Sequence, residues 1–131
     1  MAVLFKNSDI TIYNRYYDEV EGIDKYQRTV IKGVNCQGKR NATINEKGLL
    51  IADSTLIFID KLSNYISPKR FYKLNDIERP NYFTFRAGDK IVKGEVDLEI
   101  TRIADLEKEF DDVIDIKSVT ELPYHFEVEG V

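Results

Sequence analysis

Two side chains in this sequence have the chemistry of a nucleophile and a base: Cys36 and His125, its only cysteine and its only histidine. A cysteine attacks as the thiolate and needs an adjacent base or a positive field to form one. Lys39 and Arg40 follow Cys36 closely, but His125 stands between Tyr124 and Phe126 in a late extended stretch, where an ordinary strand residue is the better reading. Cys36 is read as a small residue at a strand end, and no catalytic residue is assigned. One cysteine allows no internal disulfide, and one cysteine with one histidine cannot make a Cys/His zinc site.

A second grouping is acidic. Glu95, Asp97 and Glu99 alternate with Val96, Leu98 and Ile100, and Asp111 and Asp112 follow. Carboxylate clusters can hold calcium or magnesium, but residues two apart on an extended chain stand roughly 6–7 Å apart, too far for three to share one ion. A solvated or partner-facing stripe is expected, with no metal. The glycines do not form a phosphate-binding loop, so no cofactor is expected either. Asn41-Ala42-Thr43 matches a glycosylation sequon, which is idle without secretion. Basic residues gather at Lys39-Arg40, joined by Lys47, and at Lys69, Arg70 and Lys73, the latter group interleaved with Phe71 and Tyr72. Aromatic side chains among cations can stack and pair with single-stranded nucleic acid.

The elements that must carry these residues are mostly extended. Asp9 to Tyr17 alternates, with Ile10, Ile12 and Asn14 on one side and Thr11, Tyr13, Arg15 and Tyr17 on the other. Tyr26 to Asn35 resumes the pattern after an acidic turn, giving a long hairpin. Residues 36–53 are polar and punctuated by Gly38 and Gly48, and read as a long loop, which in a compact domain is usually functional or disordered. Ser54 to Ile59 reads as a strand covered on both faces. Ser67-Pro68 is a helix-start signature, so a short helix over Pro68–Asn75 is expected. Tyr82, Phe83 and Phe85 predict a strand turned at Ala87-Gly88-Asp89 into a hairpin with Lys90–Gly94. Glu95–Ile100 predicts a strand with one wet face. Ile103, Leu106 and Phe110 recur at helical spacing, and Val113–Val119 and Tyr124–Val128 predict two last strands, separated by Leu122-Pro123. The fold expected is mainly β, a small barrel or sandwich of about six to eight strands with one or two short helices, forming a single domain over residues 1–131.

Composition agrees with a packed domain. The chain has 131 residues, 43% hydrophobic and 32% charged, with seven Phe and eight Tyr, which sets it apart from disordered chains. The apolar start Ala2–Phe5 is too brief for a signal-peptide core, and no run approaches the roughly 20 apolar residues of a membrane helix. A soluble protein of the reducing cytosol is expected. The net charge of −4 conceals a segregation: residues 1–94 carry +5, residues 95–115 carry −7 and residues 116–131 carry −2. Such an imbalance suits docking against oppositely charged neighbours, copies of itself included.

A family resemblance emerges from a series of short motifs: Asp9-Ile10-Thr11-Ile12-Tyr13-Asn14, Gly33-Val34-Asn35 with Gly38-Lys39-Arg40, Ala52 to Ile59, Tyr65-Ile66-Ser67-Pro68, Phe85 to Gly94, and Asp112 to Val119. Over nearly its whole length the chain resembles the minor structural proteins of the head-to-tail region of tailed phages and prophages of Gram-positive bacteria, the head-closure or head-tail connector group. It departs where that pattern has an aromatic at the position of Cys36 and a tryptophan at that of Phe126. The resemblance implies a non-enzymatic virion protein, a small β-barrel that forms a homo-oligomeric ring between portal or adaptor and tail in the assembled particle, with a monomeric state open to the isolated chain and DNA only passing through the channel. It implies no membrane partner, and residence in the bacterial cytoplasm during assembly and then in the virion. It also implies that the connection between the second and third strands, here 36–53 with Lys39, Arg40 and Lys47, can face the channel. Lys69, Arg70 and Lys73 on one subunit and Glu95, Asp97 and Glu99 on its neighbour are the candidate interface. The alternative reading is an OB-like nucleic-acid-binding module using Tyr82, Phe83 and Phe85 with the Lys69, Arg70 and Lys73 cluster.

Overall fold

The structure, a computed structural model, describes residues 6–45 and 48–131, with side chains described outside 39–53; the apolar start Ala2–Phe5 and Lys47 lie outside the described residues. Six antiparallel strands close into a barrel: β1 (Ser8–Asp18), β2 (Ile23–Asn45), β3 (Gly48–Asp60), β4 (Lys90–Lys93), β5 (Val113–Glu121) and β6 (His125–Gly130), in the spatial order β1-β2-β3-β6-β5-β4. Two short helices, α1 (Pro68–Phe71) and α2 (Ile103–Glu109), and a single 3-10 turn at Arg79–Asn81 complete the described elements. The mainly β barrel expected from the alternating pattern is the fold observed. Closure leaves the barrel wall without an open edge, which a six-stranded sheet of this kind would otherwise expose.

The interior is filled from every strand. Ile10, Ile12, Ile31, Ile57, Ile59, Ile91, Ile114, Ile116 and Val128 form its aliphatic lining. Tyr65, Phe83, Phe85 and Phe126 make an aromatic cluster with ring centroids 4.4–5.9 Å apart. The strands meet closely at Gly130, where an added Cβ would stand 2.8 Å from the Asp115 carbonyl oxygen, so only glycine fits. Outside the wall lies a second, smaller core in which Val96, Ile100 and Leu106 pack on Tyr13 and Val92. Both faces of β1 are therefore covered over Ile10–Asn14, all of them buried.

Several expectations are corrected. Of the connection 36–53, the described residues 36–45 and 48–53 are strand, not loop. The ladder continues from Asn35↔Phe58 to Asn45↔Gly48, so β2 and β3 run on past the barrel as a two-stranded ribbon. Its composition hid it, because hydrophobic alternation marks a strand only where one face is buried. At its base β2 carries a bulge against β1, between the pairs Ser8↔Val34 and Ile10↔Ile31, with Gly33 at φ +72 and its N–H donated to the Asp9 side chain at 3.0 Å. The Tyr82–Gly94 hairpin is absent as well: Phe83 makes only one parallel bridge, to Tyr65, and β4 pairs instead with β1 and β5. Phe83 and Phe85 are 1% and 2% exposed, and burying both rings in the barrel outweighs forming a solvent-side hairpin. Glu95–Ile100 keeps its predicted alternation of exposed carboxylates and covered aliphatics but belongs to no ladder. The first helix stops at Phe71, short of Asn75, and Ser67 makes no side-chain cap bond. Among the described residues no helix is long and apolar enough to cross a membrane.

Candidate functional site

Strand register defines two ends of the barrel, and each bears a distinct feature. One end gathers Ser8, Thr55, Lys93, Val113 and Gly130, and from it the ribbon departs. The β1 ladder with β2 stops at Ser8↔Val34, and the β6 ladder with β3 stops at Thr55↔Gly130. Beyond them the seven pairs from Lys39↔Ser54 to Asn45↔Gly48 take part in no second ladder among the described residues. At about 3.3 Å per residue the arm reaches about 23 Å from the wall. Asn7 braces its root, donating its side-chain amide to the Cys36 carbonyl at 3.1 Å and accepting the Cys36 N–H at 2.9 Å. Of the three cations predicted for this connection, Lys39 and Arg40 stand in the arm opposite Ser54 and Asp53. Lys47 lies outside the described residues.

The other end is closed by the long excursion from Lys61 to Asp89. Asn14, which the alternation places on the inner face of β1, ties this segment down. Its amide nitrogen donates to the Thr84 carbonyl at 2.7 Å and to the Asp89 carboxylate at 2.8 Å, and the Arg15 N–H reaches the other Asp89 oxygen at 3.2 Å. Asp89 is 1% exposed, and burial raises its pKa despite these donors and the nearby Arg86. Outside this plug, between the β1–β2 hairpin and α1, runs a groove of about 510 Å³ lined by Tyr17, Val20, Tyr72, Lys73 and Arg79 among others. The Arg79 guanidinium lies 4.1 Å from the Tyr16 ring centre and that of Arg86 lies 4.9 Å from the Tyr72 ring centre. Lys69, Arg70 and Lys73 are exposed on and just after α1. Sequence reading found the cations of α1 but missed Asn14 and Asp89, whose pairing depends on residues 75 positions apart.

The acidic stripe is a strap across the outer face of β1 and β2. Thr11 Oγ1 donates to the Gly94 carbonyl at 2.8 Å and accepts the Val96 N–H at 3.0 Å. Tyr13 donates its hydroxyl to the Leu98 carbonyl at 2.7 Å, and Arg28 donates to the Val96 carbonyl at 3.0 Å. Side chains of the barrel thus replace the missing strand ladder. Two of the three predicted interface carboxylates are engaged within the chain: Glu99 pairs with Arg28 at 2.9 Å and Glu95 with Lys32 at 3.6 Å. Asp97 is exposed between them. The basic and acidic interface candidates are not brought together in one chain.

Cys36 and His125 are also kept apart. Cys36 pairs with Ile57 on one side of β3, whereas His125 pairs with Asp60 on the other side, three residues along the strand. Burial pushes the Cys36 thiol pKa up, opposite to the shift that makes a nucleophile. The His125 ring stands against Phe58 at 5.9 Å and meets Glu127 at 3.4 Å. Among the described residues no group of three or more His, Cys, Asp or Glu side chains could hold a metal ion. The stacking surface of the alternative reading is dismantled too, because Phe83 and Phe85 lie inside the barrel and only Tyr82 is partly open.

What the arrangement can do is present surfaces: a protruding arm at one end, a sealed and charged mouth at the other, and an acidic flank between. No curated protein and no solved structure matches the chain. A family model covers residues 5–131, and the chain belongs to that family of unknown function, DUF6751.

Proposed function

We propose that the protein is a structural component of a tailed phage or prophage particle, closing the filled head and joining it to the tail as a ring of identical subunits. The observation that carries this reading is the arm. It is the connection between the second and third strands of a closed barrel, the place where the resemblance to head-tail connectors puts a channel-facing element. A ribbon that pairs only with itself and projects about 23 Å is poorly explained by the stability of a lone subunit. In a ring such arms would converge toward the axis, with portal or adaptor proteins on one side, tail proteins on the other and DNA passing between. Binding would rest on shape and charge, and no chemical step is assigned to the chain.

Immunogold labelling of particles purified from the strain that encodes the gene tests the reading. Label is expected at the neck, between head and tail, and the protein should co-purify with intact particles. Recovery of the protein only from the soluble lysate, with unlabelled necks, would overturn it.

A further inference from the structure

We infer that α1 of one subunit seats against the cleft beside α2 of a second copy, in a head-to-tail contact carried by charge. The inference deepens the ring reading by naming its subunit contact, and it moves the acidic partner from the strap to the helix that follows.

The strap is a poor partner because Arg28 and Lys32 of its own chain already occupy Glu99 and Glu95. The carboxylates of α2 and its C-terminal flank are different. Glu107, Glu109, Asp111 and Asp112 are all exposed, and among the described residues none of them is in an ion pair. Beside them lies a cleft of about 420 Å³ lined by Glu107, Phe110, Asp111, Val113, Asp115 and Lys90, with Lys90 and Asp115 paired to each other at 3.0 Å. Its half-buried apolar side chains, Phe110 and Val113, stand beside Glu107 and Asp111, which are in no ion pair among the described residues. A complementary occupant presents cations around an apolar side chain.

The chain itself presents one. Lys69, Arg70 and Lys73 are exposed, with no ion pair among the described residues, and Tyr72 beside Lys73 is 37% exposed. These two patches cannot satisfy each other within a subunit. The α1 segment lies at the sealed mouth, against the β1–β2 hairpin, whereas α2 packs on the outer wall over Tyr13 and Val92. Two complementary patches at separate places on one molecule make a heterologous contact, which closes into a ring when its rotation permits. Ionic contacts of this kind weaken as salt rises.

Sedimentation of the intact chain tests the contact. At 50 mM NaCl and rising concentration the wild type should sediment at a mass at least twice its 15.2 kDa, and return to monomer at 1 M NaCl. One variant carries Lys69→Glu, Arg70→Glu and Lys73→Glu; a second carries Glu107→Lys, Glu109→Lys and Asp111→Lys. Each alone should remain monomeric with a wild-type circular dichroism spectrum, and an equimolar mixture should associate again. A wild type that stays monomeric throughout, a reversed variant that associates by itself, or a folded mixture that fails to associate would overturn the proposal. Particle labelling reads the ring's location separately: a labelled neck with no complementation removes this contact alone, and complementation with unlabelled necks removes the virion role alone.

Discussion

Asp89 is a carboxylate on the dry side of the sealed mouth, accepting hydrogen bonds from Asn14 and the Arg15 backbone. Removing it takes from the buried Asn14 amide one of its two acceptors, leaving only the Thr84 carbonyl, a loss that typically costs about 1–3 kcal/mol. Because burial raises its folded-state pKa above the unfolded value, the folded protein holds this proton more tightly. The contribution of Asp89 to stability is therefore greatest at acidic pH and declines as pH rises through the raised pKa. Comparison of thermal unfolding for wild type and Asp89→Asn should show the wild type ahead, by a margin larger at pH 4 than at pH 7. A margin that widens with pH would refute the assignment of burial as the dominant influence. Asp18 shows the opposite case at the surface, where the hydrogen bond from Lys25 lowers its pKa.

Among the elements, legibility in the sequence followed burial. The strands β1, β5 and β6 and the helix α2 were read within a few residues because each has one face on a core, and burial imprints a period. Pro123 marked the break between β5 and β6. The strap was read correctly as to faces and wrongly as to partners: alternation records which side is covered, not whether backbone or side-chain donors hold the segment. The arm left no periodic trace, since its strands pair only with each other. The inward course of Phe83 and Phe85 was equally hidden, because an aromatic pair two residues apart fits a strand as well as a plug. The arm also carries a prediction about proteolysis. Its outer pairs can open without breaking any ladder of the barrel, and such local openings admit proteases. Trypsin acting on the native protein should cut after Lys39, Arg40 or Lys47 before any other site, as read by mass spectrometry of the first fragments. Initial cleavage in the Lys61–Asp89 segment would instead place the weakest element at the sealed mouth.

At the scale of the whole molecule, barrel and arm are distinct in their backbone pairing. Beyond Gly38↔Thr55 the ribbon joins no ladder of the barrel among the described residues. Replacing 40–53 by a two-residue Asn-Gly turn between Lys39 and Ser54, which face each other in the ladder and so keep the buried Ser54 in place, should leave the melting temperature within about 4 °C of wild type, the shift worth roughly 1 kcal/mol in a domain of this size. A larger loss, measured by calorimetry, would show that the arm supports the barrel. Equal stability need not mean an equal route to the folded state. The ladder between β2 and β3 runs from Asn45↔Gly48 to Asn35↔Phe58 by adding one adjacent pair at a time, so each step closes almost no new loop. The seam of β1 with β4 joins Ile10 to Lys93 across most of the chain, and long-range pairings of that kind are the slow ones. A chain that zips from the tip of the arm inward delivers Ile57 and Ile59 in register to the position the barrel will enclose. The appendage that stands outside the ladders of the barrel is then the template from which its assembly starts.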